Sequence, residues 1–200
     1  LATQAYDPME SRGYLEQAYR GFRRRHEPIG SYLAWAAAVD TCLQVWGAYK
    51  HLDYWLDEFE DLRRQYPEYP SLELEARVSY CMLNALMRRR PTDPGLHGWS
   101  ESAEAMLQRD ISLSYRTMIG NSLLLYHLRW TGNLQRAELI ASVMRTFRIA
   151  GQVAPLAELT WWMMEGAQRW ANDDPDGCRQ AVESGLAPAR ALGGHLLDFM

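Results

Sequence analysis

Cysteine, histidine and clustered acids are the residues that could make this chain a catalyst or a metal protein, and their spacing argues against both. His26, His51, His97, His127 and His195 are scattered, whereas a helix-borne metal site wants two ligands four residues apart on one face. Cys42, Cys81 and Cys178 have no near neighbours. Three widely spaced thiols make no disulfide framework and fit a reducing cytoplasm. Cys81 with His127 as its base could form a nucleophile pair, but only with hydrogen-bond reach and a third group to orient the base. Cys81 stands in an apolar stretch, where a cysteine packs as a small hydrophobe. The acidic run Asp57, Glu58, Glu60 and Asp61 could supply an acid and a base, yet Arg63 and Arg64 lie three and four residues beyond Glu60. That is the pattern of a solvated helical face. We expect no catalytic residue, no metal ligand and no cofactor site.

Arginine and tryptophan offer recognition chemistry instead. Arg23-Arg24-Arg25 and Arg88-Arg89-Arg90 are the most basic stretches and could hold a phosphate or an acidic peptide. Each precedes a proline-bearing turn, where cations also complement the negative end of a helix dipole, and that is the first role we give them. Arg89, Arg129 and Arg169 recur at a spacing of forty residues. Of the eight tryptophans, Trp130, Trp161, Trp162 and Trp170 cluster late in the chain. Trp161 and Trp162 point about 100° apart on a helix, so they do not share one packed layer.

The elements that must carry these residues follow from periodicity and punctuation. Asp7-Pro8-Met9-Glu10 reads as an N-cap, a first-turn proline and a capping-box acid. A helix follows with Leu15, Ala18, Tyr19 and Phe22 on one face, ending near Arg25 before Pro28. Further helices are expected from about 31 to 49, 51 to 65, 71 to 89, 98 to 109, 111 to 130, 134 to 150, 155 to 171 and 175 to 193, with a kink or early end at Pro188. No period-two run rich in β-branched residues stands out. Leu43, Leu83, Leu123 and Met163 occupy positions forty residues apart, and the turns near Lys50, Pro91 to Asp93, Gly132 and Asn172 keep step with them. Such a period means stacked helical units, each too small to bury its own apolar face. The comb predicts four equally buried rungs.

Composition narrows the function. Hydrophobic residues at 48% supply a core, while the net charge of −4 gives no general attraction to nucleic acid or an anionic membrane. No apolar run approaches the ~18 residues of a membrane span, and the N-terminus lacks a signal-peptide pattern. The chain begins at Leu1, and His195-Leu196-Leu197-Asp198-Phe199-Met200 reads as the opening of another helix, so we expect a piece of a longer protein. There is no phosphate loop, and the only lysine is Lys50.

Gly132-Asn133-Leu134 followed by Ala137 and Ala141 resembles the turn and second helix of a tetratricopeptide repeat. Asn172 to Ala181 shifts by a residue, Trp55 and Phe59 take the corresponding places in the unit around Lys50, and the period is nearer forty than thirty-four. With those departures the chain is similar to the degenerate repeats of MalT-like, signal-transduction ATPase regulators of bacterial transcription. The resemblance implies a single all-α, right-handed superhelix over residues 1–200, a TPR-like solenoid of four to five hairpins. It also implies a non-catalytic sensor or protein-interaction role, with ATPase and DNA-binding activities elsewhere on the polypeptide. If the first helix of each pair lines the concave side, Ser122, Tyr126, Arg129, Trp162 and Arg169 form a groove with aromatic walls and cationic donors. It would take a protein or peptide partner or a small anionic effector, without direct contact to nucleic acid or membrane. An oligomerisation or scaffold arm that pairs with another copy is the alternative.

Overall fold

The computed structural model describes residues 8–44, 49–150 and 154–191. Every regular element among them is helical: α1 (Pro8–Arg24), α2 (Pro28–Gln44), α3 (Leu52–Gln65), α4 (Leu72–Arg89), α5 (Leu96–Met106), α6 (Leu113–Leu125), α7 (Leu134–Ala150), α8 (Pro155–Ala171) and α9 (Pro175–Ala191). A 3-10 turn at Tyr49–His51 leads into α3, and a π-helical turn at Tyr126–Thr131 closes α6. The chain is all-α. Asp7 and the Gly193-Gly194 stop lie outside the described residues.

Local chemistry places the helix ends. The Ser71 hydroxyl accepts the Leu74 N–H at 3.2 Å and caps α4, Asn133 Oδ1 accepts from Arg136 at 2.9 Å at the start of α7, and Asp174 Oδ1 accepts from Gly177 at 2.9 Å at the start of α9. Three inter-helix turns use a left-handed residue: His26 (φ 53°), Gly132 (φ 63°) and Asp173 (φ 58°). A single residue in this region reverses the chain at a helix C-terminus, and glycine takes it without steric cost. The one-residue offset between Gly132-Asn133 and Asn172-Asp173 is thus an Asp doing the work of a Gly. α9 runs through Pro188 to Ala191 rather than ending early. The carbonyl that loses its partner belongs to Ser184, an exposed residue that water can reach.

The chain divides into two compact units, Leu1–Trp99 and Ser100–Met200. In the first, α2 packs against α1, α3 and α4. Its core is aromatic: Tyr19 stands edge-on to Trp55 at 5.3 Å, Trp35 stacks obliquely on Phe59 at 4.7 Å, and Trp35 Nε1 donates to the Trp55 carbonyl at 2.7 Å. In the second, α6 packs on α7 and α8, and α8 on α9. Ile119, Leu123, Met144 and Trp161 are buried there together with Ala137 and Ala141, whose small size lets α7 lie close to its neighbours.

Helices α2, α4, α6 and α8 begin at residues 28, 72, 113 and 155, intervals of 44, 41 and 42. The forty-residue comb runs slightly short of that step, so its members slide along their helices, standing 15, 11, 10 and 8 residues past the first residue. Leu83 and Leu123 are fully buried, whereas Leu43 and Met163 are half-buried beside the buried Cys42 and Met164. The expectation of four equal rungs is therefore corrected: one residue of phase turns a side chain by about 100°.

Candidate functional site

The five expected groove residues sit on or just beyond two helices that pack side by side, α6 and α8, but most of their polar groups are spent inside the fold. Ser122 is buried and its hydroxyl donates to the Met118 carbonyl at 2.8 Å. Tyr126 is buried, its ring edge-on to His127 at 5.1 Å. Trp162 is half-buried against α9, so close that a Cβ on Gly185 would lie 2.9 Å from its own. Arg169 donates from Nε to Glu165 at 2.9 Å and from Nη1 to Asp174 at 3.2 Å. Arg129 differs. It projects from the π-helical turn, is exposed, and makes no ion pair among the described residues.

Two tryptophans at the ends of these helices are exposed as well. Trp130, next along the π turn, is 37% exposed, and Trp170 at the end of α8 is 69% exposed. The wider π turn shifts residues 126–131 relative to a continuing α-helix, and the αL residue Gly132 then closes it with the Asn133 N–H donating to the His127 carbonyl at 2.9 Å. Arg129, Trp130 and Trp170 thus leave the ends of adjacent helices with their recognition groups unspent. Trp130 and Trp170 were legible as a matched pair in the strings Arg129-Trp130 and Arg169-Trp170; that only the first arginine stays free was not.

The other comb arginine, Arg89, is committed as well. Its Nε donates to Asp53 at 2.9 Å and its Nη2 to the second oxygen of the same carboxylate. This bidentate contact, with the positive charges of Arg89 and Arg90 nearby, holds Asp53 below its usual carboxylate range.

A polar lock between α7 and α8 is an arrangement that the sequence did not reveal. Arg145 on α7 donates from Nε to Glu165 Oε1 at 3.0 Å, from Nη2 to Glu165 Oε2 at 3.2 Å and to Gln168 at 3.2 Å, and from Nη1 to Glu138 at 2.9 Å. Gln168 and Asn172 donate in turn to Glu138. Glu165 is only 6% exposed. Burial pushes the Glu138 carboxyl up, but its bonds to Arg145, Gln168 and Ser142 outweigh that and leave it below its ordinary value. With every acid matched to a donor, this cluster fastens helices.

Cys81 occupies a comparable cluster in the first unit. Its Sγ lies 3.5 Å from Asp40 Oδ1, while the other Asp40 oxygen accepts from Arg77 at 3.0 Å and from the Tyr80 hydroxyl at 3.1 Å. Complete burial, and then the Asp40 charge, push the Cys81 thiol well up. A protonated, inaccessible thiol is no nucleophile. Among the described residues no three His, Cys, Asp or Glu side chains converge as a metal site would need, and no helix is long and apolar enough to cross a membrane.

Clefts also lie among the described residues of the first unit. One, of about 290 Å³, has a floor of Leu56, Phe59, Met82, Leu86 and Trp99 beneath Arg63, Arg90, Glu60 and Asp93. Its cations are engaged: Arg90 with Asp57, and Arg63 over the Tyr69 ring at 4.2 Å. Another, of about 710 Å³, lies between the end of α1 and the start of α3. Set beside protein-family models, characterised proteins and solved structures, the chain matches none.

Proposed function

We propose that this chain is a non-catalytic, TPR-like binding module, the sensor or protein-interaction arm of a larger bacterial transcriptional regulator acting in the cytoplasm. The observation that carries it is the exposure of Arg129, Trp130 and Trp170 at the ends of two helices that pack together. Tryptophan and arginine are the residue types that dominate protein-protein binding energy, and here they stand exposed at the ends of neighbouring helices. The recurrence of helical pairs every 41 to 44 residues supports the repeat reading. Engagement of a partner or effector at these residues would favour one arrangement of stacked hairpins over another and so set the state of the output domains.

Photo-crosslinking in the native cell tests this. A crosslinker placed at Trp170 should capture one defined protein, and one placed at exposed Glu183 on α9 should not. Arg129→Glu with Trp170→Ala should then weaken binding of that purified partner by about tenfold or more, with helicity unchanged. Equal labelling at both positions, or binding by the double variant at unaltered affinity, would end the proposal.

A second reading has its own observation. Val182 and Leu186, one turn apart on α9, are 50% and 40% exposed. An uncovered apolar stripe on a helix suits an assembly arm that pairs with a second copy.

A further inference from the structure

The cleft between α1 and α3 gathers four arginines. Arg20, Arg23, Arg24 and Arg25 line it, with Tyr54 and Glu58 opposite. Arg20 is matched to Glu16. Arg23, Arg24 and Arg25 make no ion pair among the described residues, whereas Arg64, Arg77, Arg89 and Arg90 of the same unit each hold a carboxylate. Three uncompensated guanidinium groups against the single carboxylate of Glu58 leave the cleft with two net positive charges on a chain of net charge −4.

The helix dipole accounts for cations at this end of α1, but not for the shape of the site. Arg23 is held in place by packing: its guanidinium carbon lies 5.9 Å from the Tyr19 ring, and its Nη1 is buried without an acceptor. Tyr19 is itself fixed, its hydroxyl donating to the Glu58 carbonyl at 3.4 Å. The left-handed turn at His26, tied to α3 by the 3.1 Å contact between Gln65 Nε2 and His26 Nδ1, anchors the segment just beyond Arg25. An arginine positioned before its anion arrives loses less side-chain freedom on binding.

We infer that this cleft binds a compact, multiply charged phosphate compound. Its volume, about 710 Å³, falls in the range of small-molecule sites. Arg23 and Arg24 end α1, Arg25 follows in the turn, and all three line this one cleft, so their charges converge on it. An extended acidic peptide spaces same-face carboxylates by roughly 7 Å and meets such a cluster with one charge at a time. A diphosphate brings its charge to one point and offers oxygens in the geometry that guanidinium forks match. This site is separate from Arg129, Trp130 and Trp170 and stands or falls independently of them.

Isothermal titration of the intact chain with inorganic pyrophosphate, at constant ionic strength set by chloride, tests the inference. The expected result is saturable one-to-one binding that falls at least tenfold in a variant carrying Arg23→Gln, Arg24→Gln and Arg25→Gln. Arg64→Gln with Arg179→Gln, which removes charge at other exposed positions, should bind as the parent does. A second readout, the rise in melting temperature with pyrophosphate, should vanish in the triple variant, whose own circular dichroism should remain helical. No heat beyond a chloride blank, equal binding by the triple variant, or tighter binding of an oligoglutamate peptide than of pyrophosphate would each overturn it.

Discussion

At the scale of single residues, the chemistry of a side chain is decided by what it touches. Cys42 and Cys81 are fully buried, and burial pushes both thiols up, Cys81 with the Asp40 charge added. Cys178, on α9, is partly exposed. Under native conditions one thiol per chain should therefore react rapidly with a water-soluble disulfide reagent, and two more only on unfolding. A fast-reacting thiol remaining after Cys178→Ser would refute that placement. The arginines divide the same way. Arg89 and Arg169 look equivalent to Arg129 in the sequence, yet the first two face Asp53, and Glu165 with Asp174. Only the coordinates separate a donor already in use from one still available.

At the scale of elements, α7 and α8 are joined by the lock around Arg145. Because the folded-state pKa of Glu138 lies below its ordinary value near 4.5, its contribution is present above that pH and is lost as the pH falls through the lower, folded value. Stability measured by denaturant titration should decline on acidification below about pH 4.5, and Glu138→Gln should flatten that part of the profile. An unchanged slope would remove Glu138 from the lock. Arg145→Met should be costly, about 3 kcal/mol, since it strips the bidentate partner from a buried carboxylate; Arg169 still reaches Glu165, which keeps the loss at the lower end. The helix ends belong to this scale too, and here the sequence was most informative. Ser71, Asn133 and Asp174 cap as their residue types suggest, because capping needs only groups three residues apart.

At the scale of the whole molecule, two helical units each carry their own core, and the exposed stripe of Val182 and Leu186 raises the question of assembly. If α9 pairs with a second copy, light scattering over a dilution series should show mass falling from dimer toward monomer, and Val182→Glu with Leu186→Glu should give monomer throughout. A constant monomeric mass from high to low concentration would exclude the assembly arm for this chain and leave the partner-binding reading.

Local order determined much of this protein in advance. Helical apolar spacing, prolines at Pro28, Pro67, Pro155 and Pro175, and the turn residues Gly132 and Asp173 specify nine helices and their near-forty recurrence among the described residues, since each signal acts within a turn or two of chain. Tertiary structure alone decided the rest. Arg145 meets Glu165 across 20 residues, Arg89 meets Asp53 across 36, and Tyr54 and Glu58 close a cleft over Arg23 from a different helix. Such pairings depend on which helices become neighbours and at what rotation, and a residue's phase turns by about 100° for each step of sequence. Helix starts spaced by 41 to 44 residues, against a side-chain comb of forty, therefore keep the helices in order while changing which side chains meet.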